Sequence, residues 1–308
     1  MFPVAASAQA IIDNGTVQLG VNASGSLNVG NGVFGTSFSS GGVGLRSITS
    51  GNEATFDGCT CEGWGAAVSG TGISVYDNTA NASSFTGVSF ASTASTATSV
   101  VTDTGATPSL QVTHAFSASS TAYLYQVDVT ITNVSGADFT GDTLYRRTMD
   151  WDINPTAFDE FVTIGGTGFA ANVLGANDNG FCDSNPLAGC SQILASGDFV
   201  DSGPADHGAN FDFKFGPLLN GASQSLRIFF GVAPTKTIAL AALGNVGAEV
   251  YSFGNSNNAG AAGDETFIFG FRGVGGGVVP EPGTWALMIV GFGTAGAMLR
   301  RRRSLAVA

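Results

Sequence analysis

The stretch "AYLYQVDVTITN" (residues 122–133) alternates with a period of two. Tyr123, Tyr125, Val127, Val129 and Ile131 fall on one face, and Gln126, Asp128, Thr130 and Thr132 on the other. This is the pattern of a strand with one buried face. Working outward, "LYRRTMDWDI" (144–153) sets Tyr145, Arg147, Met149, Trp151 and Ile153 against Arg146, Thr148, Asp150 and Asp152. Arg147 breaks the apolar series, so an inward Arg147 needs a partner. "FDFKFGP" (211–217) alternates Phe211, Phe213 and Phe215, and "ETFIFGFRG" (265–273) alternates Phe267, Phe269 and Phe271. Gly, Ser, Asn and Asp clusters punctuate the chain every 8–12 residues or so, the spacing of a sandwich rather than of a parallel α/β sheet. The predicted fold is therefore all-β, an antiparallel β-sandwich over residues 11–272, in which the Ser/Thr/Ala-rich segment 66–110 reads either as irregular edge strands or as a looser region.

One stretch has helical spacing. In "TKTIALAALGNVGAEVYSFG" (235–254), Ala239, Leu240, Leu243, Val246, Gly247 and Val250 recur at helical intervals. Thr235 is placed to cap this helix and Gly254 to end it. The expectation is one short helix near 236–253, packed across an edge or mouth of the sandwich.

Composition narrows the class. Charged residues make up 11% of the 308-residue chain and glycine is 45 of 308, against about 25% charged and about 7% glycine in ordinary globular domains. Polar surface must then come from Ser, Thr, Asn and Gln, which suits an exported β protein. The net charge is −12, and four of the eleven basic residues are Arg300, Arg301, Arg302 and Arg303. The acidic body repels phosphate backbones, so a nucleic-acid partner is not expected.

The end of the chain reads "VPEPGTWALMIVGFGTAGAMLRRRR" (279–303). Thr284–Leu299 carries no charge. As a helix it would be about 24 Å long, a marginal span against about 30 Å of hydrocarbon. The arginines would hold its end on the cytoplasmic side. Pro280 and Pro282 keep Glu281 in an extended segment, presented by a Gly-rich linker at 273–279. In its Pro280-Glu281-Pro282 triplet, Trp285, Gly-spaced apolar run and terminal arginines, this segment (280–303) resembles the PEP-CTERM sorting signal of Gram-negative bacteria that make exopolysaccharide. The resemblance implies recognition by an exosortase-type membrane processing enzyme and removal of the tail. It also implies export through an inner-membrane intermediate to the cell surface or extracellular matrix. It carries no statement about the chemistry of the body.

At the other end, Ala8-Gln9-Ala10 fits a signal-peptidase site, with small residues at Ala8 and Ala10. No Lys or Arg precedes Arg46. Residues 1–10 are therefore expected to be the remnant of a signal peptide whose true start lies upstream of Met1.

Four cysteines, Cys59 and Cys61 in "DGCTCEGWG" and Cys182 and Cys190 in "GFCDSNPLAGC", are expected to form disulfides in an exported protein. Three pairings are open, and the two local bridges are the preferred one. Acidic residues cluster in loops. Asp150, Asp152, Asp201 and Asp206 are weak candidate calcium ligands, since oxygen-rich loops hold that ion, but no Asp-x-Asp-x-Asp-Gly loop occurs and ordinary turn chemistry is the stronger account of such loops. No cofactor other than calcium is indicated.

No nucleophile-elbow, HExxH or Walker pattern appears, and an enzyme is not expected. Asp150 or Asp152 with Asp206 or Glu160 is the one carboxylate pair a glycoside hydrolase would use. His114 reads as a strand residue and His207 as a loop residue. Trp64 and Trp151, in polar surroundings, are either core residues or a sugar-facing platform. The expected role is a structural or adhesive protein of the envelope or exopolysaccharide matrix. The alternative is a calcium-assisted carbohydrate-binding module or glycoside hydrolase.

Overall fold

The computed structural model describes residues 9–30, 42–55, 61–78 and 82–275. The expected membrane-length helix and the residues Pro280, Glu281, Pro282, Trp285 and Arg300–Arg303 lie outside the described residues, as do Ala8 and Cys59.

Strands β1 (Gln9–Asp13), β2 (Val17–Asn22) and β3 (Leu45–Ser47) form a small sheet. Then follow β4 (Glu62–Val68), β5 (Ser74–Asn78), β6 (Ser83–Ser84), β7 (Thr86–Ser92), β8 (Ala97–Thr102), β9 (Leu110–Ala118), β10 (Leu124–Asn133), β11 (Thr143–Asp150) and β12 (Glu160–Gly165). Next come β13 (Val173–Asn177), β14 (Phe199–Ala205), β15 (Gly208–Phe215) and β16 (Ser223–Ala233). Helix α1 (Lys236–Val246) precedes β17 (Val250–Asn258), β18 (Ala261–Ala262) and β19 (Thr266–Arg272). The large sheet runs β14-β12-β17-β19-β16-β10-β9-β8-β7, with β18 paired to β17, and the third sheet runs β13-β15-β11-β4-β5-β6. Pairing within all three is antiparallel.

The alternation of β10 sets this arrangement. Tyr125, Val127, Val129 and Ile131 are buried in a core shared by all three sheets, with Leu19 from β2, Tyr145 from β11 and Phe269 from β19. Aromatic contacts join the two larger sheets: Phe211 lies 4.9 Å and Phe213 4.7 Å, centroid to centroid, from Phe271. Such tilted pairs add to the burial of large apolar surfaces. Asp128, on the opposite face, meets Arg227 at 2.6 Å. Tyr123 precedes the strand and packs instead against the helix-side cluster.

The helix forms as expected and Thr235 caps it, its hydroxyl accepting the Ile238 N–H at 3.3 Å. It ends earlier than 253: Gly247, at φ 67°, supplies the left-handed cap, a conformation that costs glycine little. The chain then enters β17. The helix does not cross an edge or a mouth. Ala239, Ala242 and Leu243 cover Leu124, Phe229, Phe253 and Ile268 on the outer face of the large sheet. Gly270 makes that approach possible, since a Cβ there would lie 2.8 Å from Leu243 Cδ2.

Strand β11 is buried along its whole length on both faces. A loop tied by the Cys182–Cys190 disulfide covers its outer side. Arg146 there pairs with Asp212 at 2.6 Å and donates to the carbonyls of Asp183 and Ala188 at 2.6 and 3.1 Å. At the chain ends, Ala10 pairs with Val21 in β1. Gly273 and Val274, at the start of the expected linker, donate their N–H groups to Glu249.

Candidate functional site

Two groups of buried ionisable side chains stand out. The first lies inside the sandwich. Glu62 on β4 and Arg147 on β11 are fully buried and paired, Nε to Oε1, at 2.5 Å. Arg147 thus has the partner its inward position demands. It also donates to Gly25 O at 3.3 Å, while Glu62 Oε2 accepts the Leu27 N–H at 2.6 Å. Burial pushes the Glu62 carboxyl up, and Arg147 and the Leu27 N–H pull it back. Glu62 in turn holds Arg147 charged. His114, a strand residue as expected, is buried beside them, its Nε2 3.1 Å from the Tyr145 hydroxyl and its ring 4.5 Å from Trp64. Burial, and then the Arg147 charge, holds His114 well below the usual imidazole range. The segment 22–27 closes over this group: the indole of Trp64 donates to Ser24 O at 3.0 Å.

The second group is built where β11 ends. Alternation continues past the strand, so Asp150 and Asp152 project together while Trp151 points the other way, its indole donating to Ser252 Oγ at 3.2 Å. Backbone bonds fix this stretch: Asp150 N–H to Cys61 O at 3.1 Å and Asp152 N–H to Ala54 O at 2.8 Å. Asp206 joins them from the turn between β14 and β15. The turn is anchored by the next residue, His207, which is buried between Asp178 Oδ2 at 3.1 Å and Glu160 O at 3.2 Å. Asp178 itself accepts N–H groups from Ile193, Leu194 and Ala195. Close approach needs glycine at Gly208, where a Cβ would lie 2.0 Å from Met149 O, and at Gly180, where it would lie 2.5 Å from Asp150 Cα.

The outcome is that carboxylate oxygens of Asp150, Asp152 and Asp206 all lie within 4.8 Å of one another, with Asp150 and Asp152 buried and Asp206 exposed. Glu160, fully buried at the start of β12, flanks them, its Oε1 accepting the Ile153 N–H at 3.0 Å. Burial, with the charges of Asp150 and Asp206, pushes Glu160 up to about 9. Burial and the Asp206 charge push Asp150 well above the carboxylate range. A low-dielectric pocket with several like charges is what drives such shifts.

Three of the four candidate calcium ligands therefore converge. Asp201 does not. It receives the Thr163 hydroxyl at 3.1 Å and pairs with Lys236. Asp150 and Asp152 with Asp206, one form of the carboxylate pair named above, are thus brought together. The tryptophan platform is overturned: Trp64 and Trp151 are both 0% exposed and serve the core. Of the cysteines, Cys182 and Cys190 pair locally as preferred, and Cys61 is disulfide-bonded. Sequence reasoning missed Glu62, because it is defined by a cross-strand partner and has no local motif.

In chain path the protein is similar to a galactose mutarotase related enzyme from Lactobacillus acidophilus, with 10% identity, a TM-score of 0.35 and 86% of each chain covered. It is likewise similar to a galactose mutarotase-like protein from Lactobacillus casei, with 10% identity, a TM-score of 0.33, and 86% of this chain and 88% of that one covered. A comparison with curated protein sequences found no match. Residues 278–303 match the PEP-CTERM protein-sorting motif, so that the chain is a PEP-CTERM domain-containing protein.

Proposed function

We propose that this protein is a structural or adhesive component of the cell surface or exopolysaccharide matrix. The observation that carries the reading is the sorting motif at 278–303, which marks an exported protein processed at the membrane by an exosortase. The composition supports it: a body poor in charge and rich in glycine, with a disulfide-tied loop, suits an oxidising exterior. Fractionation of the native host with mass spectrometry of the mature C-terminus tests it. The expected product is in the envelope or matrix and ends near Pro282. Recovery from the cytosol with Arg300–Arg303 intact would overturn the reading.

A calcium-assisted carbohydrate-binding module is the second reading, favoured by the convergence of Asp150, Asp152 and Asp206. With both tryptophans in the core, a sugar would have to be held by the ion and polar loops. A glycan array on the purified protein, with and without chelator, separates the two readings. Tight sugar binding that chelation abolishes would displace the structural reading.

A further inference from the structure

The place where the chain leaves β19 is held by hydrogen bonds from two sides. Ala171 N–H donates to Gly275 O and Asn172 N–H to Val274 O, both at 3.1 Å. Glu249 accepts the N–H groups of Gly273 and Val274. A Cβ at Gly166 would lie 2.2 Å from Glu249 O, so the end of β12, the start of β17 and the end of β19 meet there.

The surface around this exit is apolar. Among the described residues, Phe169, Val200, Leu219 and Leu174 are the four most exposed large hydrophobic side chains, at 84%, 76%, 64% and 59%. Each belongs to a segment at the exit. Phe169 is two residues before Ala171, and Leu174 is two after Asn172. Val200 is two residues past Asp198, whose carboxylate accepts the Thr167 N–H at 2.8 Å. Leu219 lies in the turn that leads into β16, and Gly273 lies against that strand, where a Cβ would be 3.6 Å from Leu226 Cα. Single exposed apolar residues are ordinary, whereas several gathered at one end mark an interaction surface.

The length of chain beyond Gly275 says what this surface meets. Eight residues, 276–283, separate Gly275 from the uncharged run Thr284–Leu299. They reach about 30 Å at full stretch and about 15 Å as a flexible coil. A tail seated in the bilayer therefore holds this end of the sandwich within reach of the lipid headgroups. We infer that the exit face is a lipid-docking surface, on which Phe169, Leu174, Val200 and Leu219 enter the boundary between headgroups and acyl chains while the tail is in place. The tether supplies a high effective concentration, so a small apolar patch suffices. Docking sets the height at which Glu281 is presented to the processing enzyme, and removal of the tail releases the body. The inference rests on the sorting reading, in that the tail must enter the membrane.

The test uses the full chain in phosphatidylcholine vesicles, recovered by flotation, with the photo-crosslinking residue benzoylphenylalanine in place of Phe169. Phe158, exposed ahead of β12 at the opposite end of that strand, takes the same replacement as control. Mass spectrometry should find lipid adducts at position 169 at least about tenfold above those at 158. The yield should not change between about 0.1 and about 1 M salt, because the contact is apolar. Leu174→Ser/Leu219→Ser, introduced into the chain probed at 169, should keep its fold by circular dichroism, since both positions are exposed. It should lower the lipid adduct at least about tenfold, as expected for the loss of two leucines buried in lipid. Equal yields at 169 and 158, a yield that the leucine changes leave intact, or chain-to-chain adducts in place of lipid adducts would each overturn the docking while the tail stays in the vesicle. A chain that does not float would overturn the entry of the tail and the docking with it.

Discussion

Arg147 and Glu62 meet at 2.5 Å across neighbouring strands, with neither side chain exposed at all. The pair spans the β4–β11 ladder diagonally, two residues out of direct register, since Arg147 is opposite Trp64 and Glu62 opposite Met149. A charge pair so far from water stabilises little by itself, because desolvation offsets the attraction, but removing one partner strands the other.

Arg147→Met is expected to destabilise the protein by about 3–5 kcal/mol. The double variant Glu62→Gln/Arg147→Met should recover a large part of that loss. Urea denaturation followed by tryptophan fluorescence measures both. If the double variant is no better than the single, the stranded carboxylate is not the cause.

His114 predicts an acid-side sensitivity. Its folded pKa lies well below 6.5, so the unfolded chain binds the proton more tightly. The stability that neutral His114 contributes is complete above pH 6.5 and declines as pH falls from 6.5 toward the folded value, at a slope of up to about 1.4 kcal/mol per pH unit. His114→Gln should flatten the curve of unfolding free energy between pH 6.5 and 5. Parallel curves for the two proteins would refute the assignment.

The tryptophans give a prediction that separates core from ligand platform. Trp64→Phe and Trp151→Phe each remove an indole hydrogen bond, to Ser24 O and Ser252 Oγ, and should cost about 1–3 kcal/mol. Neither should alter binding on a glycan array. A variant of normal stability that loses sugar capture would restore the platform.

The Cys182–Cys190 bridge closes a short loop, and its loss releases the chain entropy it removes from the unfolded state. The double serine variant should lose about 2.5 kcal/mol. Its covering loop should become the first site of proteolysis. Limited digestion with mass mapping reports this, and cleavage starting elsewhere would count against the clamp.

The fold was legible wherever one strand face is buried and the other wet. The segments around Val127, Phe213 and Phe269 announce themselves by alternation, and their inward faces are where the periodicity puts them. Strand β11 was half legible. Arg146, Thr148 and Asp150 read as an outer face, yet a loop 30 or more residues downstream covers them. Gly254 read as a helix end. Its role is spatial instead, since a Cβ there would lie 2.5 Å from Trp151 Cδ2. The carboxylate site was legible as a set of candidates. Which of them meet depends on the β12–β14 pairing and the His207 anchor, and that information is tertiary. Nothing local distinguishes Asp206, which joins the cluster, from Asp201, which faces Lys236.

The roof over β11 carries a consequence for the order of events in the cell. Its latch is a covalent sulfur bond, and cytoplasmic thiol chemistry keeps such latches open. A chain still awaiting export therefore has a slack cover over its central strand, the condition a translocation pore demands of its cargo. Oxidation on arrival would then lock the finished shape on the far side, so that passage comes first and rigidity second.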